Sequence, residues 1–198
     1  MTRFDPAALP PQTGRIAIVT GANTGIGYET ALALAKTGMT VILACRDQAK
    51  ATQARANIMA QVPEGDVVVM PLDLSELSSV RAFAQAYRER FSHLDLLINN
   101  AGVMCPPYSK TEDGFERQMG VNYLGHFLLT ELLLDLMPDT SQSRVVSLSS
   151  NAHKMAQIDF SDLQSESGYS PMGAYAQSKL ACLMFALELD RLLKAGVG

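Results

Sequence analysis

The feature that most constrains this chain is the stretch Thr20-Gly21-Ala22-Asn23-Thr24-Gly25-Ile26-Gly27, which follows the apolar run Ile16-Ala17-Ile18-Val19 and precedes an apolar-periodic segment reaching Leu34. It reads as strand, glycine turn and helix. Gly21 can enter a backbone conformation closed to other residues, while Gly25 and Gly27, lacking a β-carbon, let a pyrophosphate and the neighbouring strand approach the first helical turn. The free N–H groups of that turn attract anions. Taken alone, the spacing is met equally well by a tight strand-to-helix turn with no ligand.

The remainder of the chain repeats this alternation. Gly38 is placed to close the first helix in a left-handed cap, and Thr40 to Ala44 follow as a second β-rich run. An Ala-rich helix from about Asp47 to Gln61, a break at Pro63-Glu64-Gly65 and a third strand, Val67 to Met70, come next. Ser75 reads as the N-cap of a helix whose Leu77, Val80, Ala84, Tyr87 and Phe91 share one face. A fourth strand, Leu94 to Ile98, runs into Asn99-Asn100-Ala101-Gly102, followed by a loop with Pro106-Pro107, a long helix from about Asp113 to Met137, and a fifth strand from Arg144 to Leu148. The last helix, from about Met172, carries two apolar stripes, Leu180, Leu183, Met184, Leu187 and Phe185, Leu189, Leu192, which imply burial on two sides. Strands this continuously apolar, alternating with helices, predict an α/β fold with a parallel sheet covered on both faces.

A chain of 198 residues with 47% apolar composition suits one domain, residues 15–198, preceded by an arm, residues 1–14, in which Pro6, Pro10 and Pro11 prevent regular structure. A net charge of -4 without a basic cluster argues against a nucleic-acid surface. Cys45, Cys105 and Cys182 are odd in number and lack ligand spacing, which predicts free thiols, a cytoplasmic location and no metal. The most apolar stretch, Phe127 to Met137, is broken by Glu131 and Asp135, so no membrane span is expected.

Two groups of residues carry chemistry. Where dinucleotide folds place an acidic residue roughly 20 positions past the glycine turn, this chain has Ala44-Cys45-Arg46; an arginine without a carboxylate favours a 2′-phosphate, hence NADP(H) over NAD(H), although a solvated arginine opening a helix would look the same. Asp73 either accepts from an adenine amino group or simply begins the turn before Ser75. Tyr175 and Lys179 lie four apart at the start of the last helix, so the phenol and the ammonium share a face. A cation there favours phenolate and makes Tyr175 a candidate general acid/base; a solvated helix face is the alternative. The pair Ser149-Ser150 ends a strand at the edge where such folds bind ligands.

With these residues in hand, the chain from about Gly14 onward resembles the short-chain dehydrogenase/reductase family. The resemblance rests on Thr20-Gly-x-x-x-Gly25-x-Gly27, Asn99-Asn100-Ala101-Gly102, the strand ending in Ser149-Ser150, and Tyr175-x-x-x-Lys179. Ala44-Cys45-Arg46-Asp47, Asn122-Tyr123-Leu124-Gly125-His126-Phe127 and Ala174 to Ala181 look most like its retinol dehydrogenase-like branch. The resemblance implies a Rossmann-like doubly wound parallel sheet and an NADP(H)-dependent oxidoreductase that moves a hydride between nicotinamide and an apolar alcohol or carbonyl substrate. It implies catalytic roles for Tyr175 as proton donor or acceptor, Lys179 holding the nicotinamide ribose, Ser150 (with Ser149 in reserve) donating to the substrate oxygen, and Asn122 in a water-linked relay to Lys179. Asn122 is also readable as a helix residue bonding locally to backbone. Cofactor contacts are implied for Gly21, Asn23, Thr24, Gly25, Ile26, Gly27, Arg46, Asp73, Leu74, Asn100, Ala101, Gly102, Tyr175 and Lys179. His93 reads as a surface or capping residue, His126 as packed on the long helix, and His153 as a residue that could enter the substrate pocket.

The chain ends at Gly198, where the family normally continues with further strands and the segment that closes over substrate. A single domain lacking those parts, with the fifth strand as an exposed edge, is therefore expected. An inactive fragment or a catalytically silent NADP(H)-binding module is the competing reading. The two long C-terminal helices resemble those that pair across homodimers of this family.

Overall fold

Each of the five expected strands is present in the computed structural model, which describes residues 9–138 and 143–196. The strands β1 (Ile16–Thr20), β2 (Thr40–Cys45), β3 (Asp66–Pro71), β4 (Leu96–Asn99) and β5 (Arg144–Ser147) form one all-parallel sheet in the order β3-β2-β1-β4-β5. Both faces of β1 are buried. Ala17 and Val19 pack with Val41, Leu43 and the helices α1 (Gly25–Lys36) and α2 (Gln48–Gln61). Ile18 and Ile42 face the other way, against α3 (Leu77–Arg90) and α4 (Gly125–Leu133). The fifth helix, α5 (Pro171–Lys194), packs beside β5 and the segment preceding α4.

This is the doubly wound Rossmann-like α/β arrangement. The chain winds outward from β1 through β2 to β3, then returns to place β4 on the opposite side of β1. Successive connections therefore diverge between β1 and β4, and a crevice opens at the carboxyl ends of those two strands, where such sheets bind ligands. The glycine turn leaves β1 there, and Asn99-Asn100-Ala101-Gly102 leaves β4 there.

Local chemistry explains most boundaries. Asp47 caps α2 by accepting from the Lys50 N–H at 3.0 Å, and Ser170 accepts from Gly173 at the start of α5, with Pro171 in the first turn. Gly38 ends α1 with φ +86°. Of the N-terminal arm, residues 1–8 lie outside the described residues; Gln12 donates its N–H to the Thr37 carbonyl at 2.8 Å.

Three expectations are corrected. Ser75 does not cap α3: its hydroxyl and N–H both turn to Asp73 Oδ1, and the Leu77 N–H is instead held by the Asp113 carboxylate from a distant loop. The long helix does not begin at Asp113, because residues 105–116 form a loop. The buried Glu116 carboxylate accepts from the N–H groups of Gln118 and Met119, capping the helix where it starts. That helix then opens into a π-helical turn, Met119–Leu124, in which Gly125 donates to the Gly120 carbonyl, before continuing as α4 and a 3₁₀ turn, Leu134–Leu136. Finally, the apolar stripes of α5 are at most partly buried within the chain. The helix packs through Ala174, Ala181, Cys182 and the polar side chains Gln177, Ser178 and Lys179, leaving Met184 46% and Leu187 63% exposed.

Candidate active site

The crevice is a cavity of about 430 Å³ lined by the glycine turn on one side, the loop after β4 on another, and Ser149, Tyr175 and Lys179 on a third. Residues separated by more than 150 positions in sequence thus meet at one sheet edge, as the parallel topology requires.

The glycine turn is held from both sides. Gly21 donates to the Ala44 carbonyl at 2.9 Å, tying the turn to the end of β2. A β-carbon on Gly27 would stand 2.5 Å from both Asn100 Nδ2 and the Gly21 carbonyl oxygen, so only glycine lets the start of α1 press against the loop after β4. Thr24 occupies the N-cap position of α1 without a side-chain hydrogen bond to the helix, and no acidic residue sits in the first turn. The positive end of the helix is consequently neither capped nor neutralised by its own residues, which suits an incoming phosphate. Nothing lies within 4 Å of where a Gly25 β-carbon would be, so that side of the turn is open. Arg46 and Asp73 stand beside each other at the ends of β2 and β3, Nε to Oδ2 3.9 Å, outside the cavity lining. At 68% exposure the Arg46 side chain is held only weakly by that pair and can turn to a ligand. Leu74 is core, buried among α3 residues.

On the opposite wall Lys179 is buried. Its Nζ donates to the Leu148 carbonyl at 2.9 Å and lies 5.9 Å from the centre of the Tyr175 ring. Burial holds its pKa below the usual lysine value. Ser149, which lines the cavity, donates its hydroxyl to the Lys179 carbonyl at 2.7 Å and so fastens β5 to α5. Ser150 is not part of the lining. It caps the short 3₁₀ turn Asn151–Met155, accepting from the Ala152 N–H at 3.2 Å, and its own carbonyl accepts from His153 Nδ1 at 2.6 Å. Asn122 sits in the π-helical turn with both amide hydrogens engaged, to the Val103 carbonyl at 3.0 Å and Ser178 Oγ at 2.9 Å, while its Oδ1 accepts from the Val103 N–H at 2.8 Å. A β-carbon on Gly102 would meet Asn122 Oδ1 at 3.1 Å and Lys179 Nζ at 3.5 Å, so both side chains flank that residue.

Two residues that sequence reasoning did not assign to the site organise it. Thr20 Oγ1 lies 2.8 Å from His126 Nε2 and receives the N–H groups of Asn100 and Ala101 at 3.0 and 2.9 Å. His126 Nδ1 lies 2.9 Å from the Asn122 carbonyl, and burial pushes the imidazole pKa down to about 4. Thr20 heads the glycine-turn motif and His126 lies in the Asn122 to Phe127 stretch, but neither pattern reports that the two side chains meet 106 positions apart. Val103 and Leu148 act through backbone atoms, which no side-chain motif reports.

The family model for short chain dehydrogenases matches residues 15–196. Mouse retinol dehydrogenase 11 is 53% identical over 181 residues, covering 91% of this chain and 57% of that protein. Mouse polyprenol dehydrogenase is 48% identical over 196 residues, covering 97% of this chain and 58% of that protein. The chain therefore spans rather more than half the length of these relatives. A short chain dehydrogenase from Shigella flexneri, crystallised with NADP, superposes with a TM-score of 0.72 at 29% identity, over 92% of this chain and 73% of the other. With a family model spanning nearly the whole sequence and relatives half identical to it, this chain belongs to the short chain dehydrogenase family.

Proposed function

We propose that the chain is the nucleotide-binding and catalytic part of an NADP(H)-dependent oxidoreductase acting on an apolar alcohol or carbonyl compound. The observation that carries this is one cavity lined at once by the glycine turn, by Gly102, and by Tyr175 and Lys179. NADP in the Shigella flexneri relative supports the choice of cofactor, as does Arg46, whose planar guanidinium suits a 2′-phosphate. The names of the retinol and polyprenol dehydrogenases support an alcohol substrate of apolar character. Met104 on the cavity wall agrees with that character.

When bound, the nicotinamide supplies or accepts the hydride. The chain's own residues do the rest. The first turn of α1, with Asn23, Thr24, Gly25 and Ile26, would hold the pyrophosphate, Asp73 and the Leu74 backbone the adenine, and Asn100, Ala101 and Gly102 the nicotinamide ribose. Lys179, fixed to the Leu148 carbonyl by one hydrogen, has two more to offer toward the cavity, and its charge stabilises the negative charge left on Tyr175 oxygen when the proton moves. Tyr175 is the proton donor in the direction of reduction. Ser150 is preferred over Ser149 as donor to the substrate oxygen because the Ser149 hydrogen is committed to the Lys179 carbonyl, whereas Ser150 Oγ is engaged only as an acceptor. Asn122 contributes to the relay by fixing the Val103 loop beside Lys179. Exposed Phe127, Met184 and Leu187, with the aromatic cluster Tyr123, Phe127 and Phe185, support pairing of two copies through the helices α4 and α5. Three free cysteines support a reducing, cytoplasmic setting; among the described residues no helix is long and apolar enough to cross a membrane.

The deciding experiment titrates NADPH fluorescence with the purified chain and then follows NADPH oxidation against a panel of apolar aldehydes and ketones, with Tyr175→Phe alongside. Binding by both proteins and turnover by the unsubstituted chain alone is the expected result. Binding without turnover by either supports the silent nucleotide-binding module, and absence of NADPH binding refutes both readings.

A further inference from the structure

A single buried imidazole, His126, touches both the end of β1 and the π-helical turn that carries Asn122. A carbonyl can only accept, so the contact between His126 Nδ1 and the Asn122 carbonyl places the ring hydrogen on Nδ1. Nε2 is then an acceptor, and the hydrogen between it and Thr20 belongs to the Thr20 hydroxyl. With that hydrogen directed at His126, both lone pairs of Thr20 Oγ1 are turned to the Asn100 and Ala101 N–H groups. Asn100 also reaches back with Nδ2 to the Thr20 carbonyl at 2.8 Å, and that same Nδ2 is the atom against which Gly27 packs. Among the described residues the other acceptor near the Thr20 hydroxyl is the Ile98 carbonyl at 3.4 Å, at the long limit of a hydrogen bond.

At its other end the imidazole shares the Asn122 carbonyl with the Cys182 thiol, 3.2 Å away, so both lone pairs of that carbonyl are engaged. Thr130 Oγ1 in turn donates to the His126 carbonyl and accepts from Asn99 Nδ2. One side chain on α4 thus connects the end of β1, the loop after β4 and the π-helical turn carrying Asn122. Both ring nitrogens of His126 are satisfied, which makes these buried contacts costly to break, whereas at the far end of the network Asn99 Oδ1 is buried without a hydrogen-bond partner among the described residues.

We propose that His126 is a positioning residue: held between the Asn122 carbonyl and the Thr20 hydroxyl, it sets the Asn100–Gly102 loop against the glycine turn and so shapes the nucleotide crevice. The last part rests on the NADP(H) reading above; the first does not.

The test measures amide exchange at Asn100 and Ala101 by NMR in the full chain without nucleotide, for Thr20→Val, His126→Phe, their combination and His126→Gln, and then NADPH affinity for each. Thr20→Val and His126→Phe should each speed exchange at these two amides by about ten-fold, the scale of one buried hydrogen bond, without a matching change in β2. The combination should add little, because both break one chain of bonds. His126→Gln, whose amide offers both a donor and an acceptor, should restore most of the protection, a rescue that a purely space-filling role does not predict. NADPH affinity should fall by about ten-fold in the variants with fast exchange and recover in His126→Gln. Unchanged exchange at Asn100 and Ala101 in both single variants, or acceleration spread evenly over the sheet, overturns the proposal. Fast exchange with undiminished NADPH affinity overturns its link to the crevice. If the unsubstituted chain binds no NADPH, the oxidoreductase reading fails, while the exchange measurements still decide the role of His126.

Discussion

Replacing Gly27 with alanine should damage both stability and nucleotide binding, and the structure indicates how much. The added carbon would stand 2.5 Å from Asn100 Nδ2 and 2.5 Å from the Gly21 carbonyl oxygen, both well inside van der Waals contact. Asn100 is anchored to the Thr20 carbonyl and Gly21 to the Ala44 carbonyl, so neither can swing aside cheaply. Against this, alanine gains roughly 1 kcal/mol over glycine in helix propensity. Forcing a methyl group into filled space costs about 1–3 kcal/mol, and with backbone as one of the obstacles the upper part of that range applies. The net loss should be about 1–2 kcal/mol, or a fall in Tm of about 3–6 °C for a chain of this length. Because α1 must retreat from the loop after β4, the dissociation constant for NADPH should rise by about ten-fold or more, on the order of 1.4 kcal/mol. Gly38→Ala is the control: its φ of +86° imposes left-handed strain of about 1–2 kcal/mol away from the cavity. It should lower Tm by a similar amount and leave NADPH binding alone. Thermal unfolding and fluorescence titration read both quantities. If Gly27→Ala keeps the Tm and NADPH affinity of the unsubstituted chain, the close approach of α1 to the β4 loop is not what shapes the crevice.

Arg46→Glu should weaken NADPH binding by at least about ten-fold while leaving NADH binding nearly unchanged, since it sets a carboxylate where the 2′-phosphate would lie; equal losses for both nucleotides would refute the assignment. Ser150→Ala should lower kcat by about 10²–10³-fold with little change in Tm, whereas Ser149→Ala, which removes the bond to the Lys179 carbonyl, should lower Tm by a few degrees; steady-state kinetics and thermal melts separate the two serines. Burial and the nearby Lys179 charge keep His126 neutral, with its pKa pushed down to about 4. The unfolded chain takes up this proton near pH 6.5 and the folded chain does not, so the contribution is fully present above about pH 6.5, is lost as pH falls toward about 4, and amounts to roughly 3 kcal/mol. Denaturant midpoints between pH 7 and pH 4 should therefore fall more steeply for the unsubstituted chain than for His126→Gln, and parallel curves would contradict the neutral imidazole.

Much of this protein is local in origin and therefore legible in its sequence. Strand runs such as Ile16 to Val19, the glycine turn, the Gly38 cap and the four-residue spacing of Tyr175 and Lys179 each follow from the backbone limits and side-chain period of a short segment, and each lies where those limits put it. What only the folded chain decided are pairings between distant residues: Asp113 on the Leu77 N–H, Glu116 on the start of the helix before α4, Gln118 joining Cys105 to Tyr169 and Pro171, and His126 on Thr20 across 106 positions. Likewise, whether Ser149 or Ser150 keeps a free hydroxyl hydrogen depends on a backbone carbonyl of α5, 30 residues away from Ser149. A hydrogen bond depends on where its partner arrives, and that position is set by how the sheet and helices pack, for which no segment of the chain carries a pattern of its own.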